Sequence, residues 1–248
     1  MLMKKIILFV ATLFLLHTTR AQLLKKVLGD KTDSSGILNN VLGKGAGSLS
    51  TDEIASGLKE ALSVGAEKAG NSLSSLNGFF GNAAIKILMP DEAKKVEEKL
   101  RAIGLGDQVD NAILSMNRAA EDAAKSAAPI FVNAIKQMSI KDAAGILKGG
   151  DFAATDYLKD KTTASLTASF KPVIEKSLEK VNATKYWNTV FSAYNKVALK
   201  KINPDLTAYV TEKALDGIFH EVGQEEQKIR KDPLARTSDL LKKVFSNG

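Results

Sequence analysis

The stretch Asp107–Met138, DQVDNAILSMNRAAEDAAKSAAPIFVNAIKQM, decides how the rest of the chain is read. At about 100° per residue it lays Val109, Ile113, Met116, Ala120, Ala124, Ala127, Phe131, Ala134 and Met138 along one stripe. Leu114 and Ile130 fall off that stripe, and alanines lie nearly all round. Alanine has the best helix propensity and no bulk beyond Cβ, so neighbouring helices can approach such a segment from several sides. The stretch therefore reads as the centre of an all-α, multi-helix bundle. Pro129 removes a backbone donor and predicts a kink, or the start of a second helix, near Ser126 to Ala128. Arg118, Glu121, Asp122 and Lys125 fall opposite the main stripe, with Asn117 at its edge. They are either a patch facing a cleft or a solvated face with i,i+4 pairs such as Arg118–Asp122 and Glu121–Lys125, and the second is favoured.

The 248 residues suffice for one good-sized core or two small ones. Charged residues at 25% and hydrophobic ones at 44% are ordinary globular values, which argues against wholesale disorder. Aromatics make up only 6%, a balance that favours helices over sheets. The formal net charge is +7; Lys4, Lys5 and Arg20 supply three of these charges, leaving +4 from Gln22 on. That is mild and gives no argument for a nucleic-acid partner. The chain has no cysteine, which removes disulfides, thiolate chemistry, cysteine zinc sites and lipid attachment at cysteine.

Met1 to Ala21 reads as a cleaved signal peptide: Lys4 and Lys5, an apolar run from Ile6 to Leu16, then Thr19-Arg20-Ala21. The run is shorter than the roughly 20 residues of a membrane span. The expectation is an exported protein, periplasmic or extracellular. Residues 22–50 read as a flexible lead-in with one or two short helices, Leu23 to Leu28 being a short amphipathic piece. Gly43 to Gly47 lacks the preceding strand and the Lys-Ser/Thr of a phosphate loop.

Residues 51–248 read as a single helical domain. Ser50 and Glu53 match a capping box before Ile54, Leu58, Ala61, Leu62, Ala69 and Leu73. Ala84 to Met89 reads as a brief strand or, in preference, an extended connector packing Ile85, Ile87 and Met89 inward. Pro90 opens a helix carrying Ala93, Val96, Leu100 and Ile103, which stops at Gly104. Ser139 with Asp142 predicts a cap for Ile140 to Lys148. Asp151 is expected to cap a short helix, Phe152 to Leu158, with a separate helix from Thr163 interrupted by Pro172. Tyr186, Trp187, Val190, Phe191, Tyr194 and Val197 form an aromatic centre. Asp205 caps a long helix, Leu206 to Arg230, and Leu240 to Phe245 suit a last amphipathic helix.

Several of these runs together are similar to a bacterial family known as domain of unknown function 4197. They include Ser115-Met116-Asn117-Arg118-Ala119-Ala120-Glu121, Met138 to Ala143, Ile146 to Gly149, Ala153 to Tyr157, Asp205 to Val210, Ala214 to Phe219 and Glu225 to Arg230. The resemblance implies an exported, largely helical protein. It implies no activity and carries over no catalytic residue.

No nucleophile elbow, HExxH, EF-hand loop or dinucleotide fingerprint is present, and no cofactor is implied. His220 follows Asp216 by four residues, which gives fewer ligands than a zinc site needs. The candidate polar cluster is Asn117, Arg118, Glu121, Glu225, Glu226, Arg230 and Arg236. It serves either as a structural network or, if Glu121 and Glu225 meet in a cleft, as an acid/base pair of an envelope hydrolase. The preferred expectation is a non-enzymatic binding module of the cell envelope, its partner a small molecule, lipid or envelope protein. The amphipathic ends also permit peripheral membrane contact.

Overall fold

In the computed structural model, which describes residues 50–184, 187–188, 191, 195–196, 201, 205–235 and 242, the alanine-rich stretch is two helices. The order is α1 (Thr51–Ser74), a 3-10 turn (Asp91–Ala93), α2 (Lys94–Ala102), α3 (Gly106–Ala124), α4 (Ala127–Gln137), α5 (Ile140–Lys148), α6 (Ala153–Lys180), α7 (Leu206–Lys231) and a second 3-10 turn (Pro233–Ala235). No strand occurs among the described residues. The chain divides into two units between Thr51 and Asp52, and the described helices, apart from the first residue of α1, lie in the second, Asp52–Gly248. The leader, the lead-in up to residue 49, Tyr186, Val190, Tyr194, Val197, Arg236 and the C-terminal amphipathic piece lie outside the described residues.

The break between α3 and α4 comes at Lys125 and Ser126, and Pro129 occupies the first turn of α4, where its missing N–H costs nothing. Ala119, Ala120, Ala123, Ala124 and Ala127 are all buried. Their small side chains let α3 pack against α2, α6 and α7. On α1, Gly70 brings the backbone close to Ala128, and the Lys59 Nζ donates to the Lys136 carbonyl at 3.2 Å, so α1 runs antiparallel to α4.

The structure corrects the reading of residues 152–180. Ala153–Lys180 is one continuous helix, with neither the expected break between Leu158 and Thr163 nor the expected interruption at Pro172. Pro172 and Ala168, whose carbonyl loses its helical donor, are both exposed, so water can satisfy that carbonyl. The buried residues Leu158, Thr162, Leu166, Phe170, Ile174 and Leu178 recur every four positions. Each step of four drifts about 40°, so the buried stripe winds round the helix. That lets α6 serve four neighbours, α3, α4, α5 and α7, and share the centre of the bundle with α3. Burying its five large apolar side chains is worth on the order of 10 kcal/mol, an upper figure.

The caps at Ser139 and Asp205 form as expected. The Ser139 hydroxyl accepts from the Asp142 N–H at 3.1 Å while the Ser139 N–H donates to the Asp142 carboxylate at 2.9 Å. Asp205 accepts from the Ala208 N–H at 2.9 Å. Ile87 and Met89 are buried in an extended connector. Ile103, expected inside with Leu100, is instead 70% exposed beyond the end of α2.

Candidate functional site

Residues 75–90 form neither helix nor strand; turns pair some of their backbone groups with one another, and the N–H groups of Phe79, Phe80 and Ile87 take partners from elsewhere. Three residues of α3 supply them. Glu121 Oε1 accepts from the N–H groups of Phe79 and Phe80, at 3.1 and 3.2 Å. Arg118 Nη1 donates to Glu121 Oε2 at 2.5 Å, and its Nη2 donates to Asn77 Oδ1 at 2.8 Å. Asn77 sits at a φ of 67°, a conformation that asparagine tolerates better than most residues. One turn earlier on α3, Asn117 accepts from the Ile87 N–H at 2.9 Å and donates to the Ile87 carbonyl at 2.8 Å. The side-chain amide thus pairs with the connector as a neighbouring strand would.

A second clamp of the same design lies on α7. The first turn of α6 has no side-chain cap of its own. Asp151, expected there, pairs with Lys231 instead, at 2.8 Å. Glu226 does the capping from across the bundle. Its Oε1 accepts from the Ala154 N–H at 3.0 Å, and its Oε2 accepts from the Thr155 N–H and hydroxyl, each at 2.8 Å. Arg230 Nε donates to Glu226 at 2.9 Å, and Nη2 donates to the Ile146 carbonyl, also at 2.9 Å. A carboxylate at a helix N-terminus meets both unsatisfied donors and the positive end of the dipole.

The candidate cluster therefore divides. Asn117, Arg118 and Glu121 hold the connector; Glu226 and Arg230 hold α6 and α5. Glu225 points elsewhere and pairs with Lys228. Glu121 and Glu225 thus engage different partners and do not form an acid/base couple with each other. The solvated i,i+4 face expected on α3 is also corrected. Glu121 is turned inward to the Phe79 turn and is 4% exposed, and the pairs are i,i+3, Arg118–Glu121 and Asp122–Lys125.

Two grooves flank the clamped connector. One, of about 780 Å³, lies between residues 84–92 and the face of α7 that carries Tyr209, Glu212, Lys213, Asp216 and His220. Asp216 pairs there with Lys213 at 3.3 Å. Among the described residues no three His, Cys, Asp or Glu converge as metal ligands. The Tyr209 hydroxyl donates to the Leu88 carbonyl at 2.8 Å, and Trp187 stacks on its ring at 6.2 Å. Burial, then the charges of Asp91, Glu212 and Glu92, push the Tyr209 hydroxyl up to about 12. A raised folded-state value keeps the proton on, so this contribution is whole below about pH 10 and is lost as pH rises from there through about 12. Tyr209→Phe is expected to flatten the fall in unfolding free energy over that window. An unchanged alkaline slope in urea titrations would refute the assignment.

The other groove, of about 860 Å³, is apolar. α3 forms one wall from Leu105 to Asp122, about 25 Å of helix. Along it Val109, Ala112, Met116 and Ala119 make an apolar stripe, and Gln108, Asn111, Ser115, Arg118 and Asp122 make a parallel polar edge. Leu100, Met89, Leu206, Trp187 and Phe191 close the far side. Met89 and Trp187 line both grooves. Sequence reasoning missed this cavity, having given Gln108, Asn111 and Ser115 no role of their own. Their i,i+3/i+4 run beside the apolar stripe was the available signal.

A helical bundle with two buried glutamate–arginine clamps and an apolar groove is the class of protein defined by these features. The family model described as protein of unknown function (DUF4197) matches residues 48–246, and the chain belongs to that family. Neither a curated protein nor a solved structure matches the chain.

Proposed function

We propose that the chain is a non-enzymatic binding module of the bacterial cell envelope, and that it takes an apolar or amphipathic small molecule into the groove along α3. The groove carries this reading. Its volume of about 860 Å³ falls within the several hundred to about 1,000 Å³ of small-molecule sites, and an apolar wall with a few polar groups along one edge is their usual lining. The leader-like residues 1–21 support an exported location. The rival reading, a carboxylate–arginine hydrolase, needs a carboxylate free for proton transfer. Glu121 and Glu226 spend their oxygens on backbone N–H groups and arginine, which favours the binding role.

Trp187 is the only tryptophan of the chain and lines the groove, so its fluorescence reports occupancy. Dodecyl maltoside brominated along its chain, added below its micelle concentration, is expected to quench Trp187 saturably, with one molecule per chain. Ala112→Phe, which fills the groove from α3, is expected to abolish the quenching while leaving the helical signal intact. Quenching that does not saturate, or that survives Ala112→Phe, defeats the reading.

A further inference from the structure

The chemistry of the ligand follows from the charges round the same groove. Arg118, Asp122 and Lys180 are the charged residues that line it among those described. Arg118 is neutralised by the buried Glu121, and Asp122 is paired with Lys125 at 2.9 Å and receives the Ser177 hydroxyl at 3.1 Å. Lys180 is exposed and makes no hydrogen bond or ion pair among the described residues. It is close enough for its charge to help hold the Asp122 carboxyl below the usual range, after the larger effects of Lys125 and Ser177. Among the described residues, Lys180 is thus the one charge of the groove edge without an ion-pair partner, above an apolar floor. Val181, next to Lys180 in sequence, lines the groove while partly open to solvent at this end, and Leu105 is partly open at the far end, about 25 Å along α3 from Asp122.

We infer that the groove binds a monomeric single-chain amphiphile with an anionic head. The tail lies along Val109, Met116 and Phe191, and the head sits at Lys180. The inference rests on the binding reading above and adds the charge of the ligand. About half a negative charge at the C-terminus of α6 stands beside Lys180 and offsets part of its field, so the preference for an anion is expected to be modest.

The test compares three ligands with the same dodecyl chain and different heads, a phosphate, a maltoside and a trimethylammonium, each displacing the brominated maltoside from Trp187. Dodecyl phosphate is expected to bind roughly three- to tenfold more tightly than the maltoside, and the trimethylammonium compound most weakly. Lys180→Gln is expected to bring phosphate and maltoside together, and Lys180→Glu to reverse their order. Lys171→Gln is the control. It removes the same charge from an exposed position of α6, nine residues and thus about half a circle away, and is expected to leave the preference intact. Equal affinities in the unaltered chain overturn the inference and leave the binding reading standing. So does a preference that survives Lys180→Gln, or one that Lys171→Gln removes equally. If no head group gives displacement, and the brominated maltoside itself fails to bind, both fall.

Discussion

Glu226→Ala is expected to cost about 3–5 kcal/mol of folding free energy, the range for removing one partner of a buried ion pair. Three donors of the first turn of α6 lose their acceptor, and the Arg230 guanidinium keeps its charge in a half-buried position with only the Ile146 carbonyl of its two clamp partners. The adjacent Glu225→Ala removes a carboxylate of the same charge from the same helix, but Glu225, though largely buried, pairs across one turn with the exposed Lys228 and leaves no buried donor behind. That change is expected to cost less than about 1 kcal/mol. Urea unfolding of the two variants measures the difference directly. Arg230→Ala, added to Glu226→Ala, is expected to cost less than Arg230→Ala alone, because the double variant no longer strands a charge. If Glu226→Ala and Glu225→Ala unfold within about 1 kcal/mol of one another, the clamp does not hold α6 in the way its geometry requires.

That comparison also marks where the sequence stops being legible. Periodicity placed the helices, because one apolar stripe per helix is enough to say which residues go inside: Ile54, Leu58 and Leu73 on α1 and Met116 and Phe131 on the alanine-rich stretch are all buried. Local caps were legible for a similar reason, since Ser139 and Asp205 act on backbone three residues away. The cap of α6 was not, because its acceptor comes from 71 or 72 residues further along. Nothing local separates Glu225 from Glu226; only the rotation of α7 against α6 does. Pro172 was over-read for the converse reason. A proline strands one carbonyl and crowds it with its ring, and whether solvent and packing offset that cost is a tertiary fact. The groove escaped notice because a cavity is set by what neighbouring helices leave unfilled, and no single helix encodes that. Glu121 lies four residues after Asn117, which lies four after Ile113, so the three form one row that runs inward. On α3 that row carries the buried Asn117 and Glu121 to the backbone N–H groups of the connector.

Asn117→Asp is expected to be the most informative change on that row. The substitution keeps size and shape, so packing is undisturbed and the hydrogen bonds alone are altered. Asn117 is fully buried; it accepts from the Ile87 N–H and donates both to the Ile87 carbonyl and to the Ile113 carbonyl, the latter at 2.7 Å. An ionised carboxylate retains the first bond and turns the other two into contacts between oxygens, one of them charged. Burying a charge with two donors lost is expected to cost about 3 kcal/mol or more at neutral pH. A protonated aspartic acid, however, restores one O–H donor toward the Ile87 carbonyl. The folded state therefore holds the new carboxyl's proton more tightly than the unfolded chain does, and its value is raised. The sign follows: the variant is nearest the unaltered chain below about pH 4, where both states are protonated, and loses ground as pH rises through the raised folded value. Asn117→Leu has no such titration. It strands the Ile87 N–H and carbonyl at every pH, at about 1–3 kcal/mol each. Unfolding free energies from pH 4 to 7 distinguish the cases, and parallel pH profiles for Asp and Leu would show that Asn117 does not pair with the connector. Ligand binding adds a second readout. Residues 84–90 carry Met89 into both grooves, so a loosened Ile87 weakens quenching of Trp187 at denaturant concentrations below the unfolding transition. The same amide would then set both the path of the connector and the shape of the groove beside it.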